Sequence, residues 1–258
     1  MITPLASSII NNIITMQDYS YLSYVSDKTE EMCIKADSNL PHLRELEEKV
    51  CLEAVKKDGC ALAWIRNQTE EMGLIAVRQN GFTLEFVKEQ TEEICLEAVK
   101  CYGLALEYVE NQTEEICLIA VKRDGDALRF VKNQTEEMCL IAVKSSPNAL
   151  RYVENQTEEI CFIAIKLDPW VLEHVKNQTE EICWEAVTGG GSALRYVREQ
   201  TEEICIATVK RHGLWLEYVH DQTEEICMVA ATTDMSATEH IRDEEMRHRV
   251  LGQICEKK

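Results

Sequence analysis

The sequence predicts an all-α protein, a right-handed α-solenoid of about ten 22-residue two-helix repeats with a terminal capping helix. Three observations predict it. The tripeptide TEE recurs every 22 residues, at Thr69, Thr91, Thr113, Thr135, Thr157, Thr179, Thr201 and Thr223. Within each unit the apolar residues have the spacing of one helix face. A unit this short cannot bury its own apolar stripe, so its stability has to come from its neighbours.

Residues 1–18 form an N-terminal segment with neither a basic run nor an unbroken apolar stretch, and so predict no secretory signal and no membrane span. The repeat array is expected over 19–243, because "YLSYV" from Tyr21 already matches the second half of a unit. A TEE at Thr29 is out of step, and a weaker unit follows it with Glu47 in first place. The regular units then read T-E-E-I-C-L-x-A-V-K-x-x-G-x-A-L-x-Y-V-x-N-Q, with the threonine as position 1.

Positions 4, 5, 8 and 9, as in Ile116, Cys117, Ala120 and Val121, form the apolar face of a first helix. Its N-cap is the threonine, and two glutamates face the positive end of its dipole. A lysine near its end and a glycine at position 13 (Gly59, Gly81, Gly103, Gly125, Gly191, Gly213) predict a left-handed C-terminal cap. Positions 15, 16, 18 and 19, as in Ala149, Leu150, Tyr152 and Val153, suit a second, short helix, with a strand as the alternative. Residues 244–258 complete the chain as a capping helix, in which Arg247 takes the place of the cysteine.

The stretch "NQTEEICLIAVKRDGDALRFVK" resembles the repeats grouped as domain of unknown function 4116, a family associated mainly with giant viruses and some protists. The resemblance runs from about Tyr19 to Asp243. It implies an intracellular helical-repeat protein, with a viral one among the options, and supplies neither catalytic residues nor a ligand. The chain departs from the pattern at the short Thr29 unit, at Gly73 in the cysteine slot and between Pro147 and Ser192.

Acidic residues outnumber basic ones 46 to 27, a net charge of -19 that repels nucleic acid and anionic membrane surfaces and favours a protein partner of basic character. "NQT" at Asn67, Asn111, Asn133, Asn155 and Asn177 is taken as turn chemistry rather than glycosylation.

Nine of the 12 cysteines occupy position 5 (Cys33, Cys51, Cys95, Cys117, Cys139, Cys161, Cys183, Cys205, Cys227). Helices stack about 8–10 Å apart, too far for disulfides between neighbouring units. One thiol per unit makes no metal site, so small buried packing residues are expected. Cys60, Cys101 and Cys255 are expected to be accessible. The paired glutamates serve helix N-termini or a basic partner. The glutamine before each threonine, Gln68 to Gln222, is expected to bond the connecting turns. The position-18 rings and their replacements His174 and His240 are expected in the core.

Catalytic, cofactor and metal constellations are not expected: "TGGGS" at Thr188 lacks the lysine of a phosphate loop and suggests a flexible joint. Pro147 and Pro169 cannot adopt a left-handed cap and predict turns of a different shape. From the second of these prolines onward, Leu167, Trp170, Trp184 and Trp215 interrupt the pattern with large apolar residues, which either fill gaps left by the altered turns or form the partner-binding set. The expected function is a non-catalytic scaffold or adaptor. Self-assembly through the solenoid ends is the alternative, and a thiol enzyme or metal carrier a remote one. The oligomeric state is not legible.

Overall fold

The structure is a computed structural model describing Leu22, Ser23, Ser26, Asp27 and residues 41–256; the expectations for residues 1–18, the Thr29 unit and Cys33 fall outside these. The described residues are helical, with no strand among them. The chain divides into two compact units, residues 1–133 and 134–258.

In the first unit, α-helices α1 (Pro41–Lys57), α2 (Glu70–Gln79), α3 (Glu92–Cys101) and α4 (Glu114–Arg123) alternate with 3₁₀ helices η1 (Gly59–Trp64), η2 (Gly81–Phe86), η3 (Gly103–Tyr108) and η4 (Gly125–Phe130). The second unit repeats the alternation. Its α-helices are α5 (Glu136–Ser145), α6 (Glu158–Leu167), α7 (Glu180–Gly189), α8 (Glu202–Arg211) and α9 (Glu224–Thr233). Its 3₁₀ helices are η5 (Pro147–Tyr152), η6 (Pro169–His174), η7 (Gly191–Tyr196), η8 (Gly213–Tyr218) and η9 (Met235–His240), and α10 (Glu244–Glu256) completes it. In each repeat from Gly59 on, the second half contains a six-residue 3₁₀ helix.

Each regular α-helix starts as expected. The threonine hydroxyl accepts from the N–H three residues on, as Thr157 does from Ile160 at 3.4 Å, a cap worth about 1 kcal/mol. Positions 4, 5, 8 and 9 are buried, and the position-16 leucines (Leu150, Leu172, Leu194 and Leu216 in the second unit) are fully enclosed. The 3₁₀ helices have caps of their own. At position 12, Asp58, Asn80, Asp124, Asp168 and Asp234 accept from the N–H two residues on.

Glutamine joins one repeat to the next. In the second unit the side-chain N–H of Gln156 donates to the His174 carbonyl at 2.9 Å, while its oxygen accepts from the Lys176 N–H at 2.8 Å. The same pair of bonds recurs at Gln134, Gln178, Gln200 and Gln222 and, in the first unit, at Gln68, Gln90 and Gln112. The side chain replaces the backbone partners that a turn between two short helices lacks.

The glycine expectation is corrected. The helices do not end in left-handed residues: position 12 is extended, with φ −153° at Asn80 and −146° at Tyr102. Glycine follows as the first residue of the 3₁₀ helix because the next repeat presses on it. A Cβ on Gly81 would lie 2.5 Å from the Ala98 carbonyl oxygen, and one on Gly103 2.6 Å from that of Ala120. The prolines therefore do not reshape their turns. Pro147 and Pro169 are also first residues of 3₁₀ helices, after Ser146 and Asp168 with the same extended geometry, a position that suits proline's fixed φ and missing N–H. These prolines show that a repeat can accommodate a Cβ there. Gly103→Ala is therefore expected to cost a moderate amount, about 2 kcal/mol of overpacking, seen as a lower urea midpoint with an unchanged slope. An unaltered midpoint would remove close approach as the reason for glycine.

"TGGGS" is likewise a steric fit rather than a joint. A Cβ on Gly189 would meet Pro169 Cγ at 2.8 Å, and one on Gly191 would fall 1.8 Å from Trp215 Cζ3. Three residues without side chains admit an oversized neighbour on either side.

Candidate functional site: the exposed aromatic strip of the second unit

Leu167 is 55% and Trp170 49% exposed, the most solvent-facing large apolar pair of the second unit. The fold explains both. At position 11, Gln79 of the first unit reaches back to the Val55 and Lys56 carbonyls, and Arg211 of the second to those of Val187 and Thr188. Leucine has no donor for this, so Leu167 stands in solvent. Trp170 is held at the start of η6, where its backbone N–H donates to Asp168 Oδ1 at 2.9 Å.

The Trp170 ring packs edge-on against Tyr196, with centroids 6.1 Å apart. The Arg195 guanidinium lies 5.4 Å from the centroids of both Tyr196 and Tyr218, a cation–π bridge that extends the strip by one more repeat. Tyr218 donates to Glu217, and that carboxylate holds the phenol above its ordinary pKa, with burial adding to the effect. In the first unit Phe82 meets Tyr108 in the same relation, at 6.2 Å.

These contacts correct the placement of the position-18 rings, which are half-buried at Phe86, Tyr108, Phe130, Tyr152, Tyr196 and Tyr218 and 48% exposed at Trp64. His174 and His240 are half-buried in the same way. In a 3₁₀ helix positions 15 and 18 share a face one turn apart, but the small residue at 15 is enclosed while the large ring at 18, in the last residue of the helix, extends past it. Positions 15, 16 and 19 form the core, as Ala193, Leu194 and Val197 do, and position 18 is left at its edge.

The other two tryptophans lie elsewhere. Trp184 is half-buried on α7, and its indole N–H donates to Glu180 at 3.4 Å. Trp215 is half-buried, stacked on His212 with centroids 5.1 Å apart and turned over Gly191. The structure thus joins Trp170 to Tyr196, Arg195 and Tyr218, which the sequence had not grouped with it. A large residue at position 14 followed by an aromatic at position 18 of the next unit was the available signal.

Ladder thiols from Cys51 to Cys227 are buried. Burial raises their pKa, to about 11 at Cys205 and Cys227 and, with help from Glu47 and Glu48, to about 12 at Cys51. Each from Cys95 to Cys205 points at the glutamine oxygen five residues before it, as Cys205 Sγ does at Gln200 Oε1, 3.6 Å away. These are protonated packing groups, as expected. Cys60 and Cys255 are exposed and Cys101 is half-buried. Among the described residues no three His, Cys, Asp or Glu side chains are placed to hold a metal ion, and no helix is long and apolar enough to cross a membrane.

Two overlapping segments, residues 91–135 and 113–156, match the model of the family described as Domain of unknown function (DUF4116), the second displaced from the first by one repeat. No curated protein and no solved structure matches the chain. The units of residues 91–156 are repeats of the DUF4116 family.

Proposed function

We propose that the chain is a non-catalytic helical-repeat scaffold that docks a protein partner on the strip around Leu167 and Trp170. The half-exposure of both side chains carries this reading. A folded chain gains nothing from leaving two large apolar groups in water, and a partner that covers them gains about 25 cal/mol per Å² of apolar surface buried. Tryptophan and tyrosine beside an arginine is also the composition found where interface energy concentrates. The net charge of -19 favours basic partners and opposes nucleic acid. Trp184, bonded to Glu180, and Trp215, packed on His212 and over Gly191, contribute less.

The test is affinity capture from cells in which the protein is native, comparing wild type with Trp170→Ala and, separately, Trp184→Ala. A partner held by wild type and Trp184→Ala but lost by Trp170→Ala is the expected result. Equal recovery by all three would remove the strip. Light scattering over a concentration series accompanies it: a mass that rises with concentration in wild type but not in Trp170→Ala would assign the strip to self-association instead.

A further inference from the structure

The turns that lead from each 3₁₀ helix into the next α-helix open a second kind of surface. In the second unit a groove of about 300 Å³ is lined by Asn155, Gln156, Thr157, Glu158, Lys176 and Asn177 among others. A neighbouring groove of about 450 Å³ starts from the same Lys176 and Asn177 and continues to Arg198 and Glu199. Sharing these two residues, the grooves form one channel across successive repeats. The first unit has a groove of about 380 Å³ at the equivalent place, with Asn67, Glu70 and Lys88 in the corresponding positions. The groove therefore recurs with the repeat, although in the first unit the Asn67 amide is engaged, donating to Ser26 and Glu47.

Most polar groups of the channel are already engaged. Gln156 and Gln178 hold the adjacent turns. Lys176 Nζ donates to the Val153 and Glu154 carbonyls, and the Arg198 guanidinium to those of Val175 and Lys176. The side-chain amides of Asn155 and Asn177 are not engaged: both residues are exposed, and neither amide makes a hydrogen bond among the described residues. Carboxylates stand beside them at Glu158, Glu180 and Glu199, and Glu180 is the group to which Trp184 donates.

We propose that this channel binds an extended, basic peptide segment. An asparagine amide offers one donor group and one acceptor, the combination that a peptide unit of an extended chain requires. A segment in the extended polyproline-II form advances about 3.1 Å per residue and repeats its orientation every three residues, which matches the spacing of about 8–10 Å between stacked helices, so successive asparagines meet every third residue of the segment. Around the channel the carboxylates of Glu154, Glu158, Glu180 and Glu199 outnumber the cations of Lys176 and Arg198, whose N–H groups are committed to backbone carbonyls, so the channel selects lysine or arginine side chains and rejects a nucleic acid strand. The channel is separate from the Trp170 strip, and the two readings fail separately.

The test is selection from a phage-displayed library of random dodecapeptides on the full chain. Recovered peptides are then measured by fluorescence polarisation against wild type, Asn155→Ala/Asn177→Ala and Trp170→Ala. Both asparagines are exposed, so the double variant is expected to melt with wild type. The expected peptides are rich in lysine and arginine, bind the double variant about tenfold more weakly or worse, and bind Trp170→Ala unchanged. Recovery of no peptide, recovery of acidic peptides, or equal binding to the double variant would overturn the proposal, and so would peptides sensitive only to Trp170→Ala.

Discussion

Gln156→Ala is expected to lower the melting temperature by about 10 °C, through the loss of about 3 kcal/mol. Alanine removes the donor to the Leu150 and His174 carbonyls, at 3.0 and 2.9 Å, and the acceptor for the Lys176 N–H. The Leu150 and His174 oxygens and the Lys176 nitrogen would each lose this partner where two repeats meet, and an unsatisfied backbone group is costlier than the bond it made was worth. The loss also lies where stability is transmitted, because a repeat holds its fold only through its interfaces with neighbours. Gln156→Glu separates the two ends of the amide: its carboxylate still accepts from Lys176 but sets an oxygen against the Leu150 and His174 carbonyls, so a loss at least as large as that of alanine is expected. Asn155→Ala, one residue earlier but exposed and unbonded, is the matched control. Thermal melts of the three variants followed by circular dichroism decide the matter. A Gln156→Ala melt within about 2 °C of the control would mean that water replaces the amide at no cost.

The same residues show how far the sequence could be followed. Period, capping threonines, first-turn glutamates and the buried set at positions 4, 5, 8 and 9 were legible because each follows from rules local to one helix. The glutamine was legible as a turn-bonding group, but its bridging role was not, since its partners at His174 and Lys176 lie 18 and 20 residues away. Glycine at position 13 was misassigned for the same reason. The local rule makes it a left-handed cap, whereas the Ala98 and Ala120 carbonyls that require it belong to the next repeat. Position 18 shares a face with the buried position 15, three residues earlier, so its rings were placed in the core, whereas their size carries them to its edge. At the candidate site, Leu167 and Trp170 stood out as violations of a repeat. Trp184 and Trp215 violate it equally, and only the contacts with Glu180 and Gly191 set them apart.

Raising the pH from about 8 to about 11 is expected to lower the second unit's stability progressively, because of its buried thiols. Burial is the leading cause that raises the pKa of Cys139, Cys161, Cys183, Cys205 and Cys227, the last two to about 11. In the unfolded chain a thiol titrates near 8.5. Below that pH it is neutral in both states, and the stability it contributes is fully present. Above it, the unfolded chain releases a proton that the folded chain retains, so stability falls until the pH passes the folded pKa, near 11 for Cys205 and Cys227. At about pH 10 Cys205 and Cys227, with folded pKa values of about 11 against about 8.5 unfolded, each lose up to about 2 kcal/mol, and Cys139, Cys161 and Cys183 act in the same direction. Urea melts at about pH 8, 9 and 10 measure this decline as a slope. Cys205→Ala/Cys227→Ala should flatten that slope while every lysine and tyrosine remains in place, so the difference between the two chains reports the thiols alone. Parallel slopes would mean that the ladder admits enough water to ionise without opening, and the same result would undercut the assignment of these thiols as sealed packing groups.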